Sequence, residues 1–478
     1  MIGKISRVFI FQLLLIANVI AQSSLNIGFK SEFSSSLENT APFWASVNRW
    51  GIAIPNQNSM LNTIHFSSSI DIKKSGKLIF GVENTIVNLG DDAILPELYI
   101  GASYKWFKIM GGRKKTQLGR NYSSLSLGSM IVSSNALPIP RVSFSIPDYQ
   151  LIKVKNIPVK IKGGISHGWL DRGLYLEPPL LHEKWLYLSY ENEKISTYLG
   201  VVHEAIWGGA TTEFGPQPDS FKDFLRVFFL SSGPSVATAH EKTNALGNHL
   251  GMWDLGFWIK KASHNLHFYL QHPFEDQSGA RWLLNYTDGL WGMAIHSKDQ
   301  EAFVSDIVVE LLYTMHQSGS EEVSDSTYGW DDYYNNYLYR AGWVYKGRVI
   351  GTSMFTMGEN EIRDWPHIVN NRIIAIHTGF EGNITSSFQY RALFTYSKNY
   401  GTYHDKDRSK KRNIDYIFED GLNQFSYRLD LKTNQLFKNN NLTTTASIIG
   451  DSGELFENTK MFMIGITWNF STFNPINN

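Results

Sequence analysis

The sequence predicts an all-β protein that closes as a transmembrane antiparallel β-barrel. Three observations favour this class: apolar and polar residues alternate along many short segments, short connections alternate with long polar ones, and the N-terminus has the layout of an export signal. Aromatic residues make up 14% of the chain and charged residues 18%, an unusual surface for an exported soluble protein. Because no apolar run after residue 21 is long enough for a spanning helix, such a chain can enter a bilayer only as a closed barrel.

Residues 1–21 are predicted to be a signal peptide. Lys4 and Arg7 precede a short apolar run, and small residues lead up to Ala21. We expect cleavage near Ala21, a barrel over 22–478, insertion by the barrel assembly machinery, and residence in the outer membrane of a Gram-negative bacterium. There the barrel would contact outer-membrane lipids and lipopolysaccharide. Without Lys4 and Arg7 the net charge falls from zero to near −2, which does not favour a nucleic-acid partner.

The strand pattern is a repeat of two residues. In 422–432, Phe425, Tyr427 and Leu429 share one face while Ser426 and Arg428 share the other. Charged residues facing inward would be costly in a dry sandwich core, but they suit a polar interior with lipid outside. The same alternation marks segments 62–72, 384–396 and 461–470.

The C-terminal strand carries one further signal. Gly465, Trp468 and Phe470 form a glycine-x-x-aromatic-x-aromatic ending. This ending resembles the sorting signal of outer-membrane barrel proteins.

The connections differ in length at the two ends of the predicted strands. Tight turns are predicted at 73–77, 191–194, 262–265 and 381–383. Long polar connections are predicted at 43–61, 111–141, 170–182, 209–250, 273–289, 317–333, 357–370 and 398–421. Short periplasmic turns and long extracellular loops are typical of outer-membrane barrels. The count is 18 to 20 strands, depending on how 334–356 divides. A soluble sandwich would not need two unequal edges, and a propeller would need a blade-length repeat, which is missing.

One short helix is predicted at 219–230, inside the 209–250 connection. Its apolar residues Phe221, Phe224, Leu225 and Phe228 follow the i, i+3, i+4, i+7 spacing. Two placements are open. The helix rests on a loop at the barrel mouth, or it folds inward and these four side chains occlude the lumen.

The sequence predicts no catalytic site, no cofactor and no metal. The chain has no cysteine, which excludes thiol catalysis and Cys-ligated metals. The segment GISHG at 164–168 fits a serine-hydrolase motif, but that motif needs a strand, a sharp turn and a helix. Here the strand continues and Ser166 points into the lumen. Adjacent His–Glu pairs at 182–183 and 203–204 point to opposite faces of a strand, so neither pair clamps a metal. Calcium in the acidic loop 321–336 is conceivable, although a solvated loop is the favoured interpretation.

Aromatic and polar residues in two loops are candidates for sugar contact. Flat rings stack on sugar rings, amides and carboxylates hydrogen bond to hydroxyls, and arginine meets acidic sugars. The alternative for the aromatic residues is an interfacial girdle. The candidates are Arg281, Trp282, Trp330, Asp331, Asp332, Tyr333 and Tyr334.

Seven segments, in order along the chain, resemble the capsule assembly Wzi family of outer-membrane proteins. They are 41–51, 112–119, 220–229, 244–254, 271–279, 288–292 and 333–336. The resemblance implies an 18-stranded barrel that acts as a surface lectin, holds capsular polysaccharide or exopolysaccharide, and catalyses no reaction. Family members begin with periplasmic helices, whereas 23–37 here has a strand pattern, so 209–250 becomes the candidate for closing the barrel.

Two other functions stay open at this stage. A porin or polysaccharide-conducting channel would use the inward polar residues, such as His65, Asp71 and Arg391. An outer-membrane lipid hydrolase would use Ser166.

Overall fold

The computed structural model describes residues 23–52, 58–73, 75–119, 124–154, 157–275, 285–317, 331–435 and 441–472. Within these residues, eighteen strands form one antiparallel sheet, and the first strand pairs with the last, which closes the sheet into a barrel. The prediction of an all-β, transmembrane-type antiparallel barrel of about 18 strands is therefore confirmed. The predicted signal peptide lies outside the described residues.

The strands are β1 Ser23–Ser36, β2 Asn58–Lys73, β3 Gly76–Val87, β4 Asp92–Tyr104, β5 Phe107–Arg113, β6 Arg141–Val154, β7 Ile157–Trp169, β8 Leu180–Glu191, β9 Ile195–Trp207, β10 Ala210–Thr211, β11 Gly215–Pro216, β12 Asn248–Lys260, β13 His264–Phe274, β14 Gly289–Ser297, β15 Asp306–Tyr313, β16 Val344–Tyr345, β17 Arg348–Val349, β18 Thr356–Asn360, β19 Arg363–Asn370, β20 Ile373–Thr385, β21 Phe388–Asn399, β22 Leu422–Thr433, β23 Leu442–Gly453 and β24 Thr459–Thr472. The pairs β10–β11, β16–β17 and β18–β19 are small hairpins outside the barrel sheet. The helices are α1 Phe43–Ser46, α2 Phe221–Phe228, α3 Ala239–Thr243 and α4 Tyr403–Arg412. Within the described residues, no helix is long and apolar enough to cross a membrane.

The alternating residues of the strands lie on the outer and inner faces of the barrel in turn. On β24, Phe462 and Ile464 are 46% and 40% exposed on the outer wall, while Met463 between them is buried. On the inner wall of β21 and β22, Asp430 accepts from Arg391 Nε at 2.8 Å and from Arg428 Nε at 2.9 Å. The predicted combination of an apolar outside and a charged inside is therefore present.

The short turns lie at one end of the barrel, as predicted, with one error of position. The segment 381–383 is not a turn, because β20 and β21 continue to pair down to Thr385 and Phe388. The turn falls instead at Ser386 and Ser387. Segment 334–356 adds no barrel strand; it forms the β16–β17 hairpin and ends at Thr356, the first residue of β18.

The lumen is filled by connections that fold inward. Apolar residues of 43–52, 118–139 and 333–355 form one buried cluster with inward side chains of the barrel wall. Polar wall residues bind the backbone of the inward segments. Glu310 accepts from the N–H of Leu127 at 2.7 Å, and Gln271 Oε1 accepts from the N–H of Met130 at 2.9 Å.

The predicted helix exists as α2, but it lies on the outside of the barrel. Ser220 caps it, with Asp223 completing a capping box. The ring of Phe224 is 5.3 Å from the ring of His182, and Val227 is buried beside Trp207.

His182 and its register partner Ala205 face outward, because their neighbours Glu183 and Glu204 line an inner cavity with the lumen residue Trp343. The prediction that Phe221, Phe224, Leu225 and Phe228 occlude the lumen is therefore wrong. Phe221 is 75% exposed, and segment 209–250 does not close the barrel.

Candidate functional site

A cavity of about 2000 Å³ opens on the side of the long loops. Its floor and walls come from segments far apart in sequence: 331–340, the β18–β19 hairpin, and α4. The polar and aromatic side chains in this upper part are Glu213, Asp331, Asp332, Asn335, Asn336, Tyr337, Arg340, Arg363, Trp365, His404 and Arg408.

A buried ionic network holds these segments together. Arg363 on β19 donates from Nε to Asp405 Oδ1 at 2.6 Å and from Nη2 to Asp332 Oδ2 at 3.1 Å. His367 Nε2 lies 2.7 Å from Asp405 Oδ2, and His404 Nδ1 lies 3.0 Å from Asp332 Oδ2. The network therefore ties the hairpin, helix α4 and the loop before Tyr333 into one rigid floor.

The same contacts set the charge states of the floor. Burial alone would raise the pKa of the Asp332 carboxyl, but the hydrogen bond and charge of His404 and the charge of Arg363 outweigh burial and hold this pKa well below its usual range. Burial also opposes ionisation of Asp405, yet His367 and Arg363 lower its pKa. In Arg363, burial acts to lower the pKa, but the two carboxylates raise it. All three groups are therefore charged at neutral pH.

Above this floor, an aromatic ring and two cations face the cavity. Trp365 is half-buried, and the guanidinium carbon of Arg340 lies 4.2 Å from the centroid of its ring. Arg340 also forms an ion pair with Glu213. Arg408 on α4 is exposed, and among the described residues it makes no hydrogen bond or ion pair. This arrangement offers a stacking face for a sugar ring and an available guanidinium for a carboxylate.

The structure divides the predicted sugar-binding residues into three groups. Asp331 and Asp332 do line the cavity. Arg281, Trp282 and Trp330 lie outside the described residues, so for these three the prediction stays a prediction.

The prediction for Tyr333 and Tyr334 is wrong, because both rings are 1% exposed. The Tyr333 hydroxyl donates to Asp288 Oδ2 at 2.9 Å, and the Tyr334 hydroxyl donates to the carbonyl of Met130. Their role is to fix the loop.

The residues that sequence reasoning missed lie on segments that it treated as plain loops. Trp365 belongs to 357–370, and His404 and Arg408 belong to 398–421. A tryptophan beside charged residues in DWPH at 364–367 was an available signal. What brings it next to Arg340 is the fold.

Two other clusters face the lumen. The ligand atoms of His65, Glu83 and Glu97 lie within 4.8 Å of one another and could together hold a metal ion. The ammonium of Lys115 lies 2.5 Å from Glu83 Oε1 and supplies a positive charge there. Ser166 lies on strand β7, as predicted, and its hydroxyl donates to Glu183 Oε1 at 3.1 Å.

Comparison with known proteins supplies the family. The model of the capsule assembly protein Wzi family matches residues 59–360, well over half of the chain. The chain belongs to the Wzi capsule assembly family. No curated protein matches the sequence of this chain.

Two solved structures share the fold. Wzi of Escherichia coli, described as an outer-membrane protein involved in group 1 capsule assembly and as a carbohydrate-binding β-barrel, superposes with a TM-score of 0.57 at 14% identity, covering 93% of this chain and 85% of that one. OccK5 (OpdH) of Pseudomonas aeruginosa superposes with a TM-score of 0.50 at 6% identity, covering 95% of this chain and 99% of that one. At these identities the likeness concerns the fold alone.

Proposed function

We propose that this Wzi-family barrel binds an acidic capsular polysaccharide or exopolysaccharide at the surface of a Gram-negative cell and supports capsule assembly without catalysing a reaction. The observation that carries the proposal is the open cavity in which Trp365 lies beside Arg340 and which the exposed Arg408 also lines. E. coli Wzi, which shares the fold, is described as carbohydrate-binding.

The chemistry of the cavity suits recognition. The Trp365 ring provides an apolar face, and asparagine and aspartate side chains provide acceptors and donors for hydroxyls. Arg408 provides a cation that no described residue neutralises by direct pairing. The carboxylates of Asp332 and Asp405 are engaged by Arg363. They therefore serve better as structural charges than as an acid and base.

The channel alternative is weaker, because inward connections occupy the lumen and are hydrogen bonded to its wall. We expect the purified protein to be silent in a planar bilayer. Conductance steps of the size that porins show would instead support the channel function.

The direct test is binding of detergent-folded protein to a panel of uronic-acid and neutral polysaccharides. Trp365→Ala removes the stacking face, and Arg408→Ala removes the free cation. With about 1 kcal/mol for an aromatic contact, the dissociation constant for a bound glycan should rise roughly fivefold in Trp365→Ala. Arg408→Ala should weaken only the acidic members of the panel. Trp330→Ala tests the sequence-based candidate in the same assay.

Trp106→Ala is the matched control, since Trp106 is an exposed tryptophan in the short turn between β4 and β5, at the opposite end of the barrel. Equal glycan affinities for Trp365→Ala and Trp106→Ala would contradict the proposed site. Failure of the wild-type protein to bind any glycan on the panel would contradict the function.

A further inference from the structure

The cavity does not stop at the rim of the barrel. Its other half runs down the outer wall, between strands β6–β9 and the covering segment 230–245. On the wall side it is lined by Phe144, Ile165 and Leu186, and on the cover side by Leu230 and Ala245. One continuous space therefore joins the saccharide site to the membrane-facing surface.

The wall of this groove faces away from the lumen. Phe144, Ile165, Lys184 and His203 stand opposite one another in register across the four strands, and Phe144 and Ile165 are exposed on the outer surface. His203 lies four residues before the end of β9 at Trp207, which is about 13 Å along the strand. The row therefore lies in the half of the barrel wall nearer the long loops.

Two polar side chains in this row are unusual for a lipid-facing wall. The Lys184 ammonium donates to the carbonyl of Phe228 on α2 and lies 4.8 Å from the Phe228 ring centroid. His203 is only 6% exposed; its Nε2 is 3.0 Å from His249 Nδ1, while its own Nδ1 has no hydrogen-bond partner among the described residues. A lysine on the lipid face of a barrel costs free energy, increasingly so with depth, so an anionic partner would offset that cost.

Helix α2 reinforces the connection to the bilayer. Its inner side packs on the barrel wall through Phe224 and Val227. Its outer side exposes Phe221 and Leu225, with the exposed cation Lys222 on the same helix. Exposed apolar residues with neighbouring cations are typical of a helix that lies in the interface of an anionic membrane.

We propose that the outer-wall half of the cavity binds lipopolysaccharide, the phosphorylated glycolipid of the outer leaflet. An acyl chain lies along Phe144, Ile165 and Leu186, a phosphate meets Lys184 and His203, and the attached saccharide passes over the rim toward Trp365. Only the saccharide end of this arrangement rests on the proposed function. The lipid end rests on the wall groove.

The experiment compares two ligands on detergent-folded, full-length protein: rough lipopolysaccharide and a lipid-free polysaccharide that the wild-type protein binds. Dissociation constants are measured for Lys184→Gln and for Lys194→Gln, which removes a lysine at the opposite end of the β8–β9 pair. Val201→Trp is a second groove variant, since it fills the outer wall without removing a charge. Heat-modifiable migration on gels verifies that each variant is folded.

We expect Lys184→Gln to weaken lipopolysaccharide binding about tenfold or more, because a hydrogen bond to a charged group is lost. The ratio of its two dissociation constants should change accordingly, whereas the ratio for Lys194→Gln should equal that of the wild type. Val201→Trp should also weaken lipopolysaccharide binding, and enzymatic removal of phosphate from the lipopolysaccharide should weaken its binding to the wild type.

Equal lipopolysaccharide affinities for folded Lys184→Gln and Lys194→Gln, or undiminished binding of the dephosphorylated ligand, would overturn the lipid site. A different outcome separates the two sites. If Lys184→Gln weakens lipopolysaccharide binding but Trp365→Ala leaves polysaccharide binding unchanged, the lipid site is supported and the proposed saccharide site is contradicted.

Discussion

Replacing Arg363 by methionine should loosen the floor of the cavity while leaving the barrel intact. The guanidinium is buried and contacts Asp405 at 2.6 Å and Asp332 at 3.1 Å. Removing one partner of a buried ion pair typically costs about 3–5 kcal/mol, because the remaining charge has no compensation. Here Asp332 keeps His404 and Asp405 keeps His367, so we expect the lower end, about 3 kcal/mol.

This loss should appear as local opening rather than global unfolding. The β18–β19 hairpin is not part of the barrel sheet, so its stability can fall independently of the barrel. A cost of about 3 kcal/mol corresponds to a roughly hundredfold increase in the open population. Amide hydrogen exchange of 356–372, measured by mass spectrometry in detergent, reads this population directly.

The matched control is Arg412→Met, since within the part of the chain that the structure describes Arg412 donates only to the neutral carbonyl of Ile362 at 2.9 Å. Its cost should be about 1 kcal/mol. Exchange in Arg363→Met that is no faster than in Arg412→Met would refute the network argument. Adding Asp405→Asn to Arg363→Met removes one of the two carboxylate charges that have lost their arginine, and it should restore part of the protection.

Three other predictions follow from the structure. Both floor carboxylates have lowered pKa values, so their stabilisation is complete above their unfolded pKa of about 4 and is lost progressively as the pH falls below it. The open population of the hairpin, obtained from exchange rates divided by the intrinsic amide exchange rate at each pH, should therefore increase at pH 3 and should not change between pH 5 and 7. Glu310→Leu leaves the Leu127 N–H without its acceptor, at a cost of about 1–3 kcal/mol, and protease cleavage within the inward segment should increase. At Gly292 an added Cβ would lie 2.0 Å from Tyr269 Cζ, so Gly292→Ala should lower the folded fraction on heat-modifiability gels, whereas Gly111→Ala, which meets open space, should not.

The sequence predicted the barrel well because its strands obey a rule with a period of two. Phe462 and Ile464 stand on the lipid side because every second residue of a strand shares a face. The turn at 381–383 was misplaced for a local reason. Glu381 and Gly382 look like a turn, but the ladder between β20 and β21 continues past them to Thr385. The residue types of a segment indicate that a turn is possible there, but the hydrogen-bonded pairing of the two strands determines where the turn lies.

The helix was predicted correctly and placed incorrectly, because periodicity shows that a face is buried without showing which surface covers it. Phe224 and Val227 pack on the barrel wall, while Phe221 and Leu225 face outward. Apolar residues on both sides are what a helix between a protein wall and lipid requires. The spacing alone fits that location as well as it fits a lumen.

The saccharide site could not be assembled from the sequence, because its parts are distant in the chain. Trp365 lies beside Arg340 of a preceding loop, and Arg408 of a later helix lines the same cavity. The buried Arg363 network sets their relative positions. Tyr333 and Tyr334 had the right chemistry for sugar, but burial uses both rings for packing.

A polar lumen is as necessary for a plug as for a pore, which is why strand alternation does not distinguish the two. A segment folded into a barrel brings backbone N–H and C=O groups that lose water and must find partners. The wall supplies them: Glu310 accepts from the N–H of Leu127, and His377 Nε2 donates to the carbonyl of Leu125 at 2.7 Å. Arg391, one of the inward residues that suggested a wet channel, likewise donates from Nη1 to the carbonyl of Ser124 at 3.1 Å and so helps to hold the plug. A barrel built to conduct would leave these groups to water, whereas here they are committed to the chain itself.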